Sequence, residues 1–149
     1  MKKILLVVVI IVIIIIIWQL SPTEKKRLKK DIRTLERTFE TRNAAEVIKY
    51  IDPSYEDLSG MTHDEITQAI ARFFAQVDSI NVQMSGLKLN IDSITEENVI
   101  FASCSLGLRV LARYEGERVL AFGGIVHPSP VRAWFRKSDG KYRVYYAQY

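Results

Sequence analysis

Hydrophobic positions follow three different spacings in turn along the chain. From Ile4 to Leu20 the chain is apolar except at Gln19. Seventeen helical residues reach roughly 26 Å, at the short end of what crosses a bilayer core. Trp18 falls where an interfacial aromatic belongs. The run is longer than a signal-peptide core and no small-residue cleavage pair follows it, so residues 1–20 read as an uncleaved transmembrane signal anchor. Ser21-Pro22 breaks that helix and Thr23 can start another. Leu28, Ile32, Leu35 and Phe39 then recur at steps of four, three and four, the stripe of an amphipathic helix. Asn43, with Glu46 three residues on, caps a short second helix over AAEVIKYI, which Asp52-Pro53 is expected to stop. Thr62 and Glu65 form a capping box for a third helix, in which Ile66, Ala69, Ile70, Phe73, Phe74 and Val77 make one wide apolar face.

After Val77 the period drops to two. Ile80, Val82 and Met84, then Leu87, Leu89 and Ile91, alternate with polar neighbours. So do Ile100, Ala102, Cys104, Leu106, Leu108, Val110, Ala112 and Tyr114, with Ser103, Ser105, Arg109 and Arg113 on the opposite face. Hairpin turns are expected at Glu115-Gly116-Glu117, at Pro128-Ser129-Pro130 and at Ser138-Asp139-Gly140, and a bulge or bend at Gly123-Gly124. Helices first and strands afterwards predict an α+β fold: a transmembrane helix, then three helices packed on a strongly curved antiparallel sheet of four to six strands. The predicted organisation is an anchor over residues 1–20, a basic juxtamembrane stalk over 21–33 that begins the first helix, and a folded domain over 34–149.

The net charge of +4 is unevenly placed. Residues 21–42 carry eight basic and four acidic side chains, next to the apolar run, as suits a segment beside anionic headgroups. Residues 43–149 carry eleven basic and thirteen acidic ones, so the folded part lacks the basic excess of a nucleic-acid binder. The single cysteine, Cys104, cannot form an internal disulfide and lies in an apolar alternating run, where a buried structural thiol is expected.

The order helix, helix, Tyr-x-Asp, helix, long meander resembles the nuclear transport factor 2-like superfamily, also called ketosteroid-isomerase-like or SnoaL-like. The resemblance is carried by VIKYIDPSYEDLSGMTHDEITQAIARFF and by VRAWFRKSDGKYRVYYAQY, whose two strands flank a short Asp-Gly turn. It covers about residues 25–149 and implies a cone able to hold a small apolar ligand, in a family whose members include isomerases, dehydratases, non-catalytic binders and secretion-machine subunits. Fold therefore does not settle function.

Isomerase-like members of such a family place a carboxylate base inside the cone, with its pKa set by burial. Here residues 98–149 contain only Glu115, Glu117 and Asp139, all at predicted turns. The remaining acid–base candidates are Asp52, Tyr55 and Asp57, between helices where the cone would open, and His127, at a strand end. Each also has a structural explanation, as turn residues for the aspartates, a core aromatic for Tyr55 and an exposed strand end for His127. The two histidines and one cysteine have no metal-ligand spacing, so no metal or cofactor is expected.

Residues 98–149 carry eight basic and three acidic side chains. Arg109, Arg113, Arg132 and Arg136, with Trp134, are the candidate ligand or partner surface if they share the outer sheet face, and that face is the candidate homodimer contact. The sequence reading is a bacterial-type single-pass protein held in the inner membrane by residues 4–20. Its domain is expected outside the cytoplasm, although Lys25, Lys26, Arg27, Lys29 and Lys30 argue the reverse by the positive-inside rule. A non-catalytic binding role for a small apolar ligand or a protein is expected. The alternatives are an isomerase or lyase acting at the cone mouth and an assembly subunit of an envelope complex. A cone packed with Phe73, Phe74, Phe101 or Phe122 would leave no room for a ligand.

Overall fold

The computed structural model describes residues 23–149. The expected transmembrane helix over residues 1–20 lies outside them. Among the described residues no helix is long and apolar enough to cross a membrane. The elements are α1 (Glu24–Glu40), α2 (Ala44–Ile48), β1 (Ile51–Asp57), α3 (His63–Gln76), β2 (Ser79–Ile94), β3 (Ile100–Tyr114), β4 (Glu117–Phe122), β5 (Ser129–Lys137) and β6 (Tyr142–Gln148).

The sheet has six strands in the order β1-β6-β5-β3-β2, with β4 also paired to β3. Strand β3 organises it. One edge pairs with β2 along its length, while the other pairs with β5 over its first half and with β4 over its second. Register shifts in β2 at Ser85/Lys88 and Ile91/Ser93, and in β5/β6 at Trp134/Phe135, are bulges of the kind that bend a sheet. At Gly123 the chain leaves β4 with φ +91° and passes so close to β3 that a Cβ would lie 2.6 Å from the Leu108 carbonyl oxygen. The Gly123-Gly124 bend is thus where it was expected, but Pro128-Ser129-Pro130 is not a turn, because β5 already begins at Ser129.

Two expectations need correcting. The sheet is mixed, not antiparallel: Ile51–Asp57, read as a helix end and a turn, is a strand parallel to β6. The Val144 amide donates to the Tyr50 carbonyl and the Leu58 amide to the Ala147 carbonyl, which fixes both ends of β1. Pro53 is tolerated because β1 is an edge strand and needs no ladder amide there. Helix α2 stops at Ile48 as a result. The basic stalk expected over residues 21–33 is, from Glu24 on, part of the packed domain. Leu28 is fully buried and Ile32 nearly so. Lys137 Nζ and Tyr142 Oη both donate to Glu24 Oε2, at 2.9 and 2.7 Å, which clamps the first turn of α1 onto the β5–β6 hairpin.

The helices lie on one face of the sheet and divide its core. One cluster gathers Val47, Ile51, Tyr55, Ile70, Phe74 and Val77 against Val110 and Ala147. The other gathers Leu28 and Ile32 against Ile100, Ala102, Cys104, Phe135 and Tyr142. Phe39, Phe73 and Phe74 pack together where α1 meets α3, with the Phe39–Phe74 rings edge to face at 4.9 Å. At the sheet edge the Glu40 carboxylate accepts the Val82 amide at 2.8 Å and so satisfies one donor of the long β2 edge.

Candidate functional site

Between the two core clusters lies a cavity of about 310 Å³. Its floor is the inner face of the sheet, contributed by Val82, Met84, Cys104, Leu106, Leu108 and Ala133. Ile32, Leu35 and Phe39 of α1 form one wall, and Ile66 and Ile70 of α3 contribute to another. The same alternation that turned Ser103, Ser105 and Arg109 outward thus turned an apolar row, aliphatic but for Cys104, inward. Leu106 and Leu108 are only half-buried although they face inward, because the cavity opens to solvent. None of Phe73, Phe74, Phe101 and Phe122 lines it. Phe101 meets Tyr145 edge to face, and Phe122 meets Tyr149 the same way.

Two of the lining residues have an ionisable oxygen, Tyr55 and Glu36, although the surface they show the cavity is almost wholly apolar. Tyr55 is buried; burial, with the nearby Tyr149 and Asp57, raises its pKa and keeps the hydroxyl a neutral donor. Glu36 is held by Arg33 at 2.8 Å, with a side chain only 15% exposed. It was not among the sequence candidates. Its one signal was its place beside Leu35 on the flank of the apolar stripe. Cys104 is a buried free thiol whose pKa burial pushes up to about 11, an inert wall atom.

The other sequence candidates do not converge on the cavity. Asp52, expected at the end of a helix, is buried in β1. Its Oδ1 accepts the Ser54 amide and hydroxyl and Arg136 Nη2, at 2.9, 2.7 and 2.6 Å, while Oδ2 accepts Arg136 Nε at 3.1 Å. Burial alone would raise its pKa; the Ser54 and Arg136 donors outweigh that and hold it low. Asp57 Oδ1 likewise accepts the Ser59 amide and hydroxyl and the Met61 amide, and Oδ2 accepts the Tyr149 hydroxyl. Those donors outweigh its burial and lower its pKa, whereas burial and Asp57 push Tyr149 up to about 12. Both aspartates are therefore saturated acceptors that organise β1 and its exit. His127 is exposed in the loop between β4 and β5. Of the four acid–base candidates, only Tyr55 reaches the cavity.

The arginine surface forms only in part. Register places Trp134 opposite Ser103, Arg132 opposite Ser105 and Arg136 opposite Phe101, so these residues share the outer face. Trp134 packs against Tyr146 at 5.3 Å between ring centres. Arg136 is committed to Asp52. Arg109 donates to Gln83 Oε1 and to the Ile125 carbonyl, tying down the loop after β4. Arg143 holds Asp139 and the Lys49 carbonyl. Arg113 and Arg132 remain exposed, and Arg132 and Trp134 border a depression of about 260 Å³. Among the described residues no group of three or more His, Cys, Asp or Glu could hold a metal ion.

No family model and no curated protein matches the sequence. Solved structures do match its fold. The helical cell shape determining protein Pgp2 (K307A mutant) of Campylobacter jejuni aligns with a TM-score of 0.61 at 11% identity, over 79% of this chain and 38% of that one, so the chain spans less than half of Pgp2. A putative dehydratase from the nuclear transport factor 2-like family of Streptomyces avermitilis gives 0.61 at 10% identity, over 83% of this chain and 92% of that one. A putative scytalone dehydratase of Novosphingobium aromaticivorans gives 0.59 at 13% identity, over 83% and 80% of the two chains. At these identities the likeness speaks for the fold alone: an α+β cone of the nuclear transport factor 2-like type.

Proposed function

We propose that the domain binds a small apolar molecule in the cavity between its two cores, without transforming it, and that residues 4–20 tether it to a membrane. The observation that supports this is the wall: a solvent-open cavity of about 310 Å³ lined almost wholly by aliphatic and aromatic side chains. That volume is at the lower end of the range for small-molecule sites. Burying an apolar ligand there contributes about 25 cal/mol per Å² of surface removed from water. Shape and apolar contact would orient it, because almost none of the wall's surface is polar. The test is titration of the full chain, embedded in lipid nanodiscs, with a small apolar fluorescent dye. Saturable binding of one dye per chain, competed by benzene, is expected. Signal that merely follows partition into lipid would sink the reading.

The second reading, an isomerase or lyase, is motivated by Glu36 and Tyr55, two residues of the cavity lining whose side chains end in groups able to transfer a proton. Exchange of the α-protons of a small apolar ketone in deuterated water would detect such chemistry. Turnover by the wild type that is lost in Glu36→Gln, with dye binding retained, would favour the enzyme over the binder. The proposed site outside the cytoplasm is tested by a reporter fused after Tyr149. Alkaline phosphatase activity without green fluorescence supports export, and the reverse pattern refutes it.

A further inference from the structure

Helix α1 sorts most of its charges by side, with ion pairs Arg27–Glu24 and Arg33–Glu36 joining the two. Leu28, Ile32, Leu35 and Phe39 face the sheet or the cavity. Its acidic side chains up to Arg37 turn back toward the domain. Glu24 is bound by Lys137 and Tyr142, Asp31 accepts the Tyr142 amide at 3.0 Å, and Glu36, beside the cavity wall, pairs with Arg33 at 2.8 Å, which leaves Lys26, Lys30 and Arg37 of the outward side unpaired among the described residues. Lys26, Lys30, Arg33 and Arg37, spaced by four, three and four residues, all lie exposed on the side away from the core, with Lys29 beside them. The stripe runs for about 16 Å. A tether that only left the bilayer needs basic residues in its first turn; this stripe continues almost to the end of the helix. Ser21, Pro22 and Thr23 alone separate the apolar run from Glu24, a span of at most about 11 Å.

We infer that the outward stripe Lys26–Lys30–Arg33–Arg37 is a binding surface for anionic lipid headgroups, so that α1 lies along the membrane and the cone rests on its side. The clamp of Glu24 to the β5–β6 hairpin transmits that orientation, because α1 cannot swing away from the sheet without breaking it. Each cation in the headgroup layer favours this pose roughly fivefold, and the attraction fades within a screening length. The inference rests on the proposed tether, and the experiment separates the two. Thr41, exposed just past the far end of the stripe, is changed to Cys and labelled with a fluorophore. The full chain is placed in nanodiscs carrying headgroup spin-labelled lipid. A helix standing upright would hold this probe roughly 27 Å above its own start, out of reach, and a helix lying flat would hold it among the headgroups. Expected are strong quenching with phosphatidylglycerol and its loss in pure phosphatidylcholine or at about 1 M salt. Loss in the Lys26→Gln/Lys30→Gln/Arg33→Gln/Arg37→Gln variant and retention in Lys26→Arg/Lys30→Arg are also expected. An unquenched probe in phosphatidylglycerol discs, or equal quenching in both lipids and at high salt, would overturn the inference while leaving the tether intact. Chain recovered outside the discs would overturn the tether and the inference with it.

Discussion

Substituting Ala133 by Leu tests the cavity through the sign of a stability change. Ala133 lies on the inner face of β5, paired with Cys104 on one side and Ala147 on the other, and it lines the cavity floor. The change adds three carbons. Burial contributes about 0.8 kcal/mol for each, roughly 2 kcal/mol in all, as an upper bound. Ordering the longer side chain costs about 0.5–1 kcal/mol, so the net gain is about 1–2 kcal/mol. In a filled core the same change would overpack and cost about 1–3 kcal/mol. Urea unfolding of the nanodisc-embedded chain, followed by tryptophan fluorescence, reads the difference as a shift in midpoint at constant slope. A raised midpoint together with weakened dye binding is expected. A lowered midpoint would refute the reasoning, since it would mean that the space beside Ala133 is not there.

Arg136→Met leaves the buried Asp52 with only its Ser54 donors. Because those remain and Arg136 is 37% exposed, the loss should be about 2–3 kcal/mol in the same unfolding assay, below the cost of stripping a fully buried pair, and Asp52→Asn in the same chain should recover part of it. Asp57 has a folded pKa below its ordinary 3.8, so its contribution is present above that value and is lost as pH falls through the lower, folded one. Asp57→Asn should flatten the acid side of the stability profile below about pH 4 and let Tyr149 titrate below the wild-type value of about 12, read from its ring carbon resonance. Tyr142→Phe removes one of the donors to Glu24 and should cost about 1 kcal/mol, with faster hydrogen exchange in the first turns of α1. Unchanged exchange there would mean that the clamp does not hold the helix.

What the sequence revealed follows from which signals are local. The inward row from Ile100 to Ala112 was legible because fifteen uninterrupted residues of β3 alternate. The start of α3 was legible because Glu65 accepts the Thr62 amide and hydroxyl, as the capping pair implies. Strand β1 was not, since its seven residues include a proline and four polar side chains, and its parallel partner lies some ninety residues away. Asp52 and Asp57 consequently looked free for chemistry, although Arg136 of β5 and Tyr149, just past the end of β6, occupy them. The cavity escaped local reading for the same reason. Its wall is assembled from nearly every element, and Glu36 joins it only because α1 docks through its whole length.

The central claim, a cavity that takes up an apolar molecule, is tested most directly by methyl resonances of the full chain labelled at its methionines. Met84 lines the cavity and Met61 sits in the connection before α3, which makes it an internal control. Titrating nanodisc-embedded protein with benzene, the account predicts a saturable shift of the Met84 methyl, a still Met61 methyl, and loss of the Met84 shift in Ala133→Leu. A Met84 methyl unmoved at saturating benzene, or one that moves no more than Met61, would contradict it.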